Sequence, residues 1–150
     1  MATPTPETAA WLALKARVAS LSLSPALPVS YPNEKFDPPS DTDGPTNYLE
    51  VSLLKNDPLV ATMGTTGKTR HRGILQIVLH ARKREHPLAV YTEIAGDIAE
   101  HFKLDTVMTN NGVNVRIEAP PTVGNDFSPT DAPLMQIPIS IRWNADANRS

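Results

Sequence analysis

The segment from Arg72 to Phe102 restricts the possible folds of this chain more than any other part of the sequence. Its first half predicts a strand with one wholly apolar face, formed by Gly73, Leu75, Ile77, Leu79 and Ala81. Its second half predicts a helix that opens at Pro87, with an apolar stripe of Tyr91, Ile94, Ala95, Ile98 and Phe102. A strand and a helix joined by a short charged turn bury both surfaces when the helix packs on the sheet. The remaining segments are therefore expected to extend this sheet or to cover it.

Periodic patterns elsewhere predict one more helix and several more strands. A helix is expected over residues 6–21, because Thr5, Pro6 and Glu7 form a helix start and apolar residues follow at spacings of three and four. Alternating segments predict strands at 48–54, 113–119 and 134–143, with a shorter one at 107–108. Asn111-Gly112 predicts a tight hairpin turn, since both residues tolerate positive φ.

The order of these elements predicts an α+β fold, with a mostly antiparallel or mixed β-sheet and two amphipathic helices packed on one face. The length of 150 residues suits one domain spanning 1–150, with a polar tail at about 144–150 that we expect to be frayed.

Prolines and glycines divide the elements. Residues 33–46 predict a surface loop, and residues 55–69 predict an exposed arm between two antiparallel strands. Pro138 falls inside the last strand, which predicts a sheet edge or a bulge at that point.

Composition excludes several functional classes. The chain contains no cysteine, which excludes disulfides, thiolate metal ligands and a cysteine nucleophile, and its net charge of -2 does not favour polyanion binding by the whole molecule. No apolar run is long enough to span a bilayer, and the N-terminus lacks the pattern of a secretory signal, so the protein is expected in the cytosol of the cell that makes it.

No catalytic, cofactor or metal site is predicted. Gly64 to Thr69 resembles a phosphate-binding loop, but its glycines are too close together and a strand pattern follows where a helix is required. The four histidines show no metal-ligand spacing.

Two basic clusters remain, and they lie at opposite ends of the central strand. One contains Lys68, Arg70, His71 and Arg72, and the other contains Arg82, Lys83 and Arg84. Either cluster taken alone is explained as the solvent-exposed end of a strand. Together they are the candidate contacts with other subunits or with a partner. Aromatic residues are scarce, at 5%, so the stacking used by single-strand nucleic-acid binders is not supported.

One pattern is spread over most of the chain, in segments 31–39, 47–51, 72–77, 95–102 and 136–143, and Arg72-Gly73-Ile74 is its most specific part. Together these segments resemble the phage tail terminator-like family, whose members cap the tail tube of long-tailed phages. The resemblance implies a virion structural protein, not an enzyme, without a cofactor. It further implies a hexameric ring that stops tube polymerisation. Its partners would be copies of itself, the tail tube protein and a head-completion or neck protein, without a membrane or specific nucleic acid. Its location would be the tube end in the virion, after assembly in the host cytoplasm.

Three alternatives stay open at the level of sequence. A neck connector or another tail-completion protein would also be a small α+β subunit that assembles into a ring. A nucleotide-binding enzyme would use Lys68 and Thr69. A free nucleic-acid binder would show strongly salt-dependent binding to DNA.

Overall fold

The computed structural model describes residues 5–23, 26–42, 44–60, 63–64, 67–128 and 133–148. Two helices are present in these ranges, α1 (Pro6–Ala19) and α2 (Leu88–His101). The strands are β1 (Val29–Ser30), β2 (Ser40–Asp41), β3 (Gly44–Pro45), β4 (Tyr48–Val60), β5 (Lys68–Arg82), β6 (Val107–Asn110), β7 (Val113–Ile117), β8 (Thr122–Val123) and β9 (Leu134–Asn148).

The main sheet is mixed and has the strand order β1-β4-β5-β9-β7-β6, with β8 pairing beside β7 on the same side of β9. Only β1 runs parallel to its neighbour, and the other pairs are antiparallel. Strands β4, β5 and β9 are the long elements, so the predicted central strand lies in the middle of the sheet. The α+β class predicted from the sequence is confirmed.

One hydrophobic core lies between the sheet and both helices, which pack on the same face. The apolar face predicted for the central strand is buried, and so are Tyr91, Ala95 and Ile98 on α2 and Phe102 directly after it. Helix α1 packs on β5, β6 and β7, whereas α2 packs on β8 and β9. The two helices therefore cover different parts of one face, and no described helix packs on the opposite face, which we call the open face.

Local signals set the ends of both helices. The Thr5 hydroxyl accepts a hydrogen bond from the Thr8 amide at 3.3 Å, and Pro6 occupies the first turn, as predicted. Helix α1 ends at Ala19, two residues earlier than expected, with Ser20 as its C-terminal cap. Pro87 directly precedes α2, because its extended ψ places it just outside the helix.

The predicted exposed arm at 55–69 is mostly strand. Strand β4 continues to Val60 and β5 begins at Lys68, so residues 55–60 and 68–69 belong to the ladder. The alternation of apolar and polar residues that marks a strand fails there because Asp57 and Pro58 form a bulge. At the bulge the register moves from Asn56↔Arg72 to Leu59↔Arg70. Within the arm, residues 61–62 and 65–66 lie outside the described residues.

The last strand differs from its prediction in two ways. It is an interior strand, with β5 on one side and β7 and β8 on the other, so the inference of a sheet edge from Pro138 is wrong. The Pro138 carbonyl accepts a hydrogen bond from the Gly124 amide at 2.7 Å. The nitrogen and the carbonyl of one residue point to the same side of a strand, so the proline nitrogen also faces the short β8. The missing N–H of Pro138 therefore removes no hydrogen bond between β9 and β5.

The strand β9 also continues through Asn148, where a frayed tail was expected. Ala145 and Ala147 are buried, because they pair with residues on β5 and lie on the face that the helices cover. Residues 149–150 of that tail lie outside the described residues.

Two turns complete the fold. Asn111 and Gly112 have φ of 49° and 77°, so the predicted hairpin turn between β6 and β7 is confirmed. The region 33–46, predicted as a loop, contains a small separate ribbon formed by β2 and β3.

Candidate functional site

Three strands bring most of the basic side chains onto the open face of the sheet. Arg72 on β5 and Arg116 on β7 are both register partners of Asn144 on β9. Residues directly opposite each other in a ladder point to the same face. By the same register, Lys68, Arg70 and Arg142 lie on this face as well. We call Lys68, Arg70, Arg72, Arg116 and Arg142 the basic face.

A groove of about 350 Å³ crosses the basic face. Its lining includes Lys68, Arg70 and Arg116, together with Asn144 and Asp146. Polar side chains thus form most of its walls, and three of them carry positive charge. Such a surface favours an anionic partner over an apolar one.

Asp146 neutralises one of these cations. Arg70 binds its carboxylate in a bidentate pair, with Nε–Oδ1 at 2.8 Å and Nη2–Oδ2 at 3.1 Å. This hydrogen bond holds the pKa of Asp146 below its ordinary value. Nearby, the Asn144 amide donates to a Glu118 carboxylate oxygen at 3.0 Å. The basic face therefore contains two acids as well as five cations.

Sheet alternation divides the first predicted cluster between two faces. His71 is the register partner of Ala145, and its Nδ1 lies 3.6 Å from a Glu7 carboxylate oxygen on α1. It therefore lies on the helix-covered face and is separated from Lys68, Arg70 and Arg72. The Arg72 Nε is buried and has no hydrogen-bond partner within the described part of the chain.

The second predicted cluster lies at the other end of β5, as expected from the sequence. Arg82 donates hydrogen bonds to an Asp41 carboxylate oxygen and to the carbonyls of Gly44 and Pro45. Arg84 is exposed and has a φ of 63°, in the turn that leads to α2. Of these side chains, Arg82 holds the β2–β3 ribbon against the sheet.

An apolar edge lies beside the basic face. On and just after β4, Leu54 is 54% exposed, Val60 66% and Met63 88%. The short β1 pairs only with Leu49 and Glu50, so no described strand pairs with the outer side of residues 51–60. Long unpaired edges with exposed apolar residues are sites of association in proteins.

The geometry does not support the nucleotide-binding alternative. Lys68 and Thr69 belong to strand β5, whereas a phosphate-binding loop must open a helix. Residues 65–66 of that segment lie outside the described residues. Across the described residues, no group of three or more His, Cys, Asp or Glu side chains is arranged to hold a metal ion. No helix in that part of the chain has the length and apolarity needed to cross a membrane.

Sequence reasoning missed two residues of the basic face, Arg116 and Arg142. Their signal was present, because Arg116 alternates with buried Val115 and Ile117, and Arg142 lies between buried Ile141 and Trp143. Alternation showed that both point to solvent. It did not show that β7 and β9 are neighbours, which is what brings them beside Arg72.

Comparisons with known proteins give the family. A solved protein structure superposes with a TM-score of 0.69 at 21% sequence identity, covering 90% of this chain and 92% of the other, so the two share a fold. No curated protein matches the sequence. The family model described as "Phage tail terminator protein" matches residues 9–143. The resemblance inferred from the sequence is thus confirmed: the chain belongs to the phage tail terminator family and is a phage tail-completion protein.

Proposed function

We propose that this protein caps the phage tail tube as a closed ring of identical subunits. The ring, a hexamer, seats on the end of the tube, stops its polymerisation and presents its other side to a head-completion or neck protein. It acts as a structural component and not as an enzyme, at the tube end of the virion after assembly in the host cytoplasm. The match of residues 9–143 to the terminator family carries this proposal.

The exposed edge of β4 supports an assembled state. Leu59 and Val60 are 43% and 66% exposed, and no described strand pairs with the outer side of the backbone there. Native proteins rarely leave such an edge uncovered, because it invites uncontrolled pairing with other chains. Burial of this edge against a neighbouring subunit or the tube would remove that risk.

The charged ends of β5 supply further contacts in this proposal. Lys68, Arg70, His71 and Arg72 lie toward one end of the strand, and Arg82, Lys83 and Arg84 lie at the other. A strand of 15 residues is long enough, at roughly 3.3 Å per residue, to reach two separate rims of a ring subunit. We assign one end to the tube or the neighbouring subunit and the other to the opposite rim.

Assembly and capping can be measured together. Purified protein should have the mass of a ring by light scattering, appear as rings in negative stain, and stop elongation of tail tubes in vitro. Val60→Asp combined with Met63→Asp should weaken ring formation or tube capping, because it places charge on the exposed edge. Phe127→Ser is the matched control, since Phe127 is 60% exposed on a different segment.

The same assays distinguish the nearest alternative. A ring that binds tail-less heads but leaves tube growth unchanged would identify a neck connector. A protein that remains monomeric at all concentrations, with or without tubes, would refute the ring and the cap together.

A further inference from the structure

The two broad surfaces of the subunit carry opposite charge. The open side of the sheet presents the basic face. On the far side of the molecule, the solvent-facing side of α2 presents Glu93, Asp97 and Glu100, which are all exposed. We call these three residues the acidic stripe. Because the helices and the basic face lie on opposite sides of one sheet, a single subunit cannot bring its own two surfaces together.

The spacing of the charges matches between the two surfaces. Glu93 and Glu100 are seven residues apart on α2, which separates them by about 10 Å along the helix axis. Arg72 and Arg116 flank Asn144 across two strand spacings, about 9.6 Å in total. Arg142 is diagonal to both, two residues before Asn144 on β9. Three cations and three acids can therefore lie opposite each other with similar separations.

Among the described residues these three cations form no direct ion pair, although the positive charge of Arg116 helps to lower the pKa of Asp146. Arg70 is paired with Asp146. By contrast, none of the ion pairs found among the described residues involves Arg72, Arg116 or Arg142.

We propose that the basic face of one subunit docks on the acidic stripe of a second copy of this chain. The contact joins two different surfaces, so it is head-to-tail, and repetition of such a contact closes into a ring when the rotation between subunits allows it. This inference rests on the proposed ring and names the surfaces that form it.

A second copy fits the basic face better than DNA does. DNA presents a continuous line of phosphates, which would meet Asp146 and Glu118 on that face as well as its cations, and the whole chain has a net charge of -2. A short stripe of three carboxylates can instead lie on Arg72, Arg116 and Arg142 alone. The acidic stripe, in contrast, has no basic residue among its neighbours on α2 other than His101 at the end of the helix. Charge complementarity of this kind favours a correctly oriented neighbour and disfavours like-charged approaches.

Two charge-reversed variants test the contact. Variant one carries Arg116→Glu and Arg142→Glu, and variant two carries Glu93→Lys and Asp97→Lys. All four side chains are exposed, so each variant should keep the wild-type circular dichroism spectrum and melting behaviour. The control, Lys35→Glu, reverses one charge at an exposed site outside both the basic face and the acidic stripe.

Ring formation is measured by light scattering over a dilution series at low salt. Each variant alone should form rings at least about tenfold less tightly than wild type, because like charges then meet in the contact. An equimolar mixture should recover rings, with the two variants alternating, since each then meets an opposite charge on both sides. The control should assemble as wild type does.

The outcomes separate this inference from the proposed function. Wild-type rings together with unaffected variants would overturn the assigned surfaces and leave the ring intact. So would variants that each fail and are not restored by mixing, or unaffected assembly in which variant one has instead lost binding to a DNA duplex. A wild-type chain that never self-associates would overturn both proposals. Recovery on mixing, which no general destabilisation produces, would establish the contact.

Discussion

Trp143 and Gly73 are register partners on β9 and β5, and the tryptophan ring lies against the face of the glycine. A Cβ added to Gly73 would lie 3.1 Å from the Trp143 ring and 2.3 Å from the carbonyl oxygen of Leu54 on β4. The first contact leaves little room, and the second is too short for any real Cβ. Gly73 thus allows β4 and a buried indole to approach the central strand closely.

We therefore predict that Gly73→Ala destabilises the protein. The added methyl group must displace a backbone carbonyl inside the sheet, and overpacking of this kind costs about 1–3 kcal/mol. Urea unfolding at neutral pH measures the change in the free energy of unfolding. Gly96→Ala is the matched control, because nothing lies within 4 Å of a Cβ at this exposed helical position. It should stabilise the protein by roughly 0.5–1 kcal/mol. Equal stability of Gly73→Ala and wild type would show that β4 is not held close at this point.

Arg82 gives a second prediction, on local stability. Its guanidinium has a side-chain exposure of only 16% and joins Asp41, Gly44 and Pro45 to the end of β5. Arg82→Lys keeps the charge, but its single ammonium nitrogen cannot bond all of these acceptors as the planar guanidinium does. We therefore expect the free energy of unfolding to fall by about 1–3 kcal/mol. Hydrogen exchange should increase first in residues 40–47, because the ribbon loses its attachment there.

The control for Arg82 is Arg84→Ala, in the exposed turn that follows. Arginine and alanine both carry a Cβ, so the cost of the positive φ at position 84 is unchanged and stability should stay within about 0.5 kcal/mol. If Arg82→Lys leaves exchange in the ribbon at the wild-type rate, the hydrogen bonds of Arg82 do not hold the ribbon in solution.

The sequence predicted the central part of the fold well because its signals there are strong and local. The five apolar residues at alternate positions from Gly73 to Ala81 require a buried face. The stripe on α2 and the Asn111-Gly112 turn each have one simple interpretation, and the structure confirms both. Length and composition contributed less than these short-range patterns.

The missed parts have weaker or interrupted signals. Strand β4 was predicted too short because Asp57-Pro58 breaks the alternation, although a bulge lets the ladder continue. The end of β9 was assigned to a polar tail because Ala145 and Ala147, its buried residues, are small and give little hydrophobic contrast. The basic face depends on strand order, which a single sequence does not reveal. The role of Arg82 depends on a hydrogen bond 41 residues distant along the chain.

The ion pair between Arg70 and Asp146 gives a prediction with a definite sign in pH. Its hydrogen bond from Arg70 lowers the pKa of the Asp146 carboxyl in the folded protein relative to the unfolded chain. A lowered carboxyl pKa contributes stability above the unfolded value, and this contribution is lost as the pH falls through the folded value. Asp146→Asn should therefore be less stable than wild type at neutral pH, and the difference should vanish in strong acid.

The size of this effect is small because the pair is partly exposed, with side-chain exposures of 44% and 33%. Solvent screening limits such pairs to about 0–1 kcal/mol. Urea unfolding of wild type and Asp146→Asn at about pH 7 and about pH 2.5 measures it. A difference that persists unchanged in acid would assign it to packing and not to the charge of Asp146.

The C-terminal ends of the two helices meet at His101, which provides the last prediction. Its Nε2 lies 2.8 Å from the Arg17 carbonyl oxygen, and the Arg17 guanidinium donates in return to the His101 carbonyl at 3.1 and 2.8 Å. Burial and the nearby positive charge of Arg17 lower the pKa of His101, although its hydrogen bond to the Arg17 carbonyl acts in the opposite direction. A lowered histidine pKa means that the folded state binds the proton less readily than the unfolded chain does. The stability contributed by neutral His101 is therefore complete above the unfolded pKa of about 6.5 and is lost as the pH falls below it.

We expect wild type to lose stability between about pH 7 and pH 5 by more than His101→Gln does, since glutamine keeps a donor but does not titrate. Thermal melts of both proteins across this range measure the difference. His86→Gln is the control, because His86 is exposed in the turn before α2, and its melting curve should follow wild type at every pH. Parallel curves for wild type and His101→Gln would mean that protonation of His101 does not disturb the junction of the two helices.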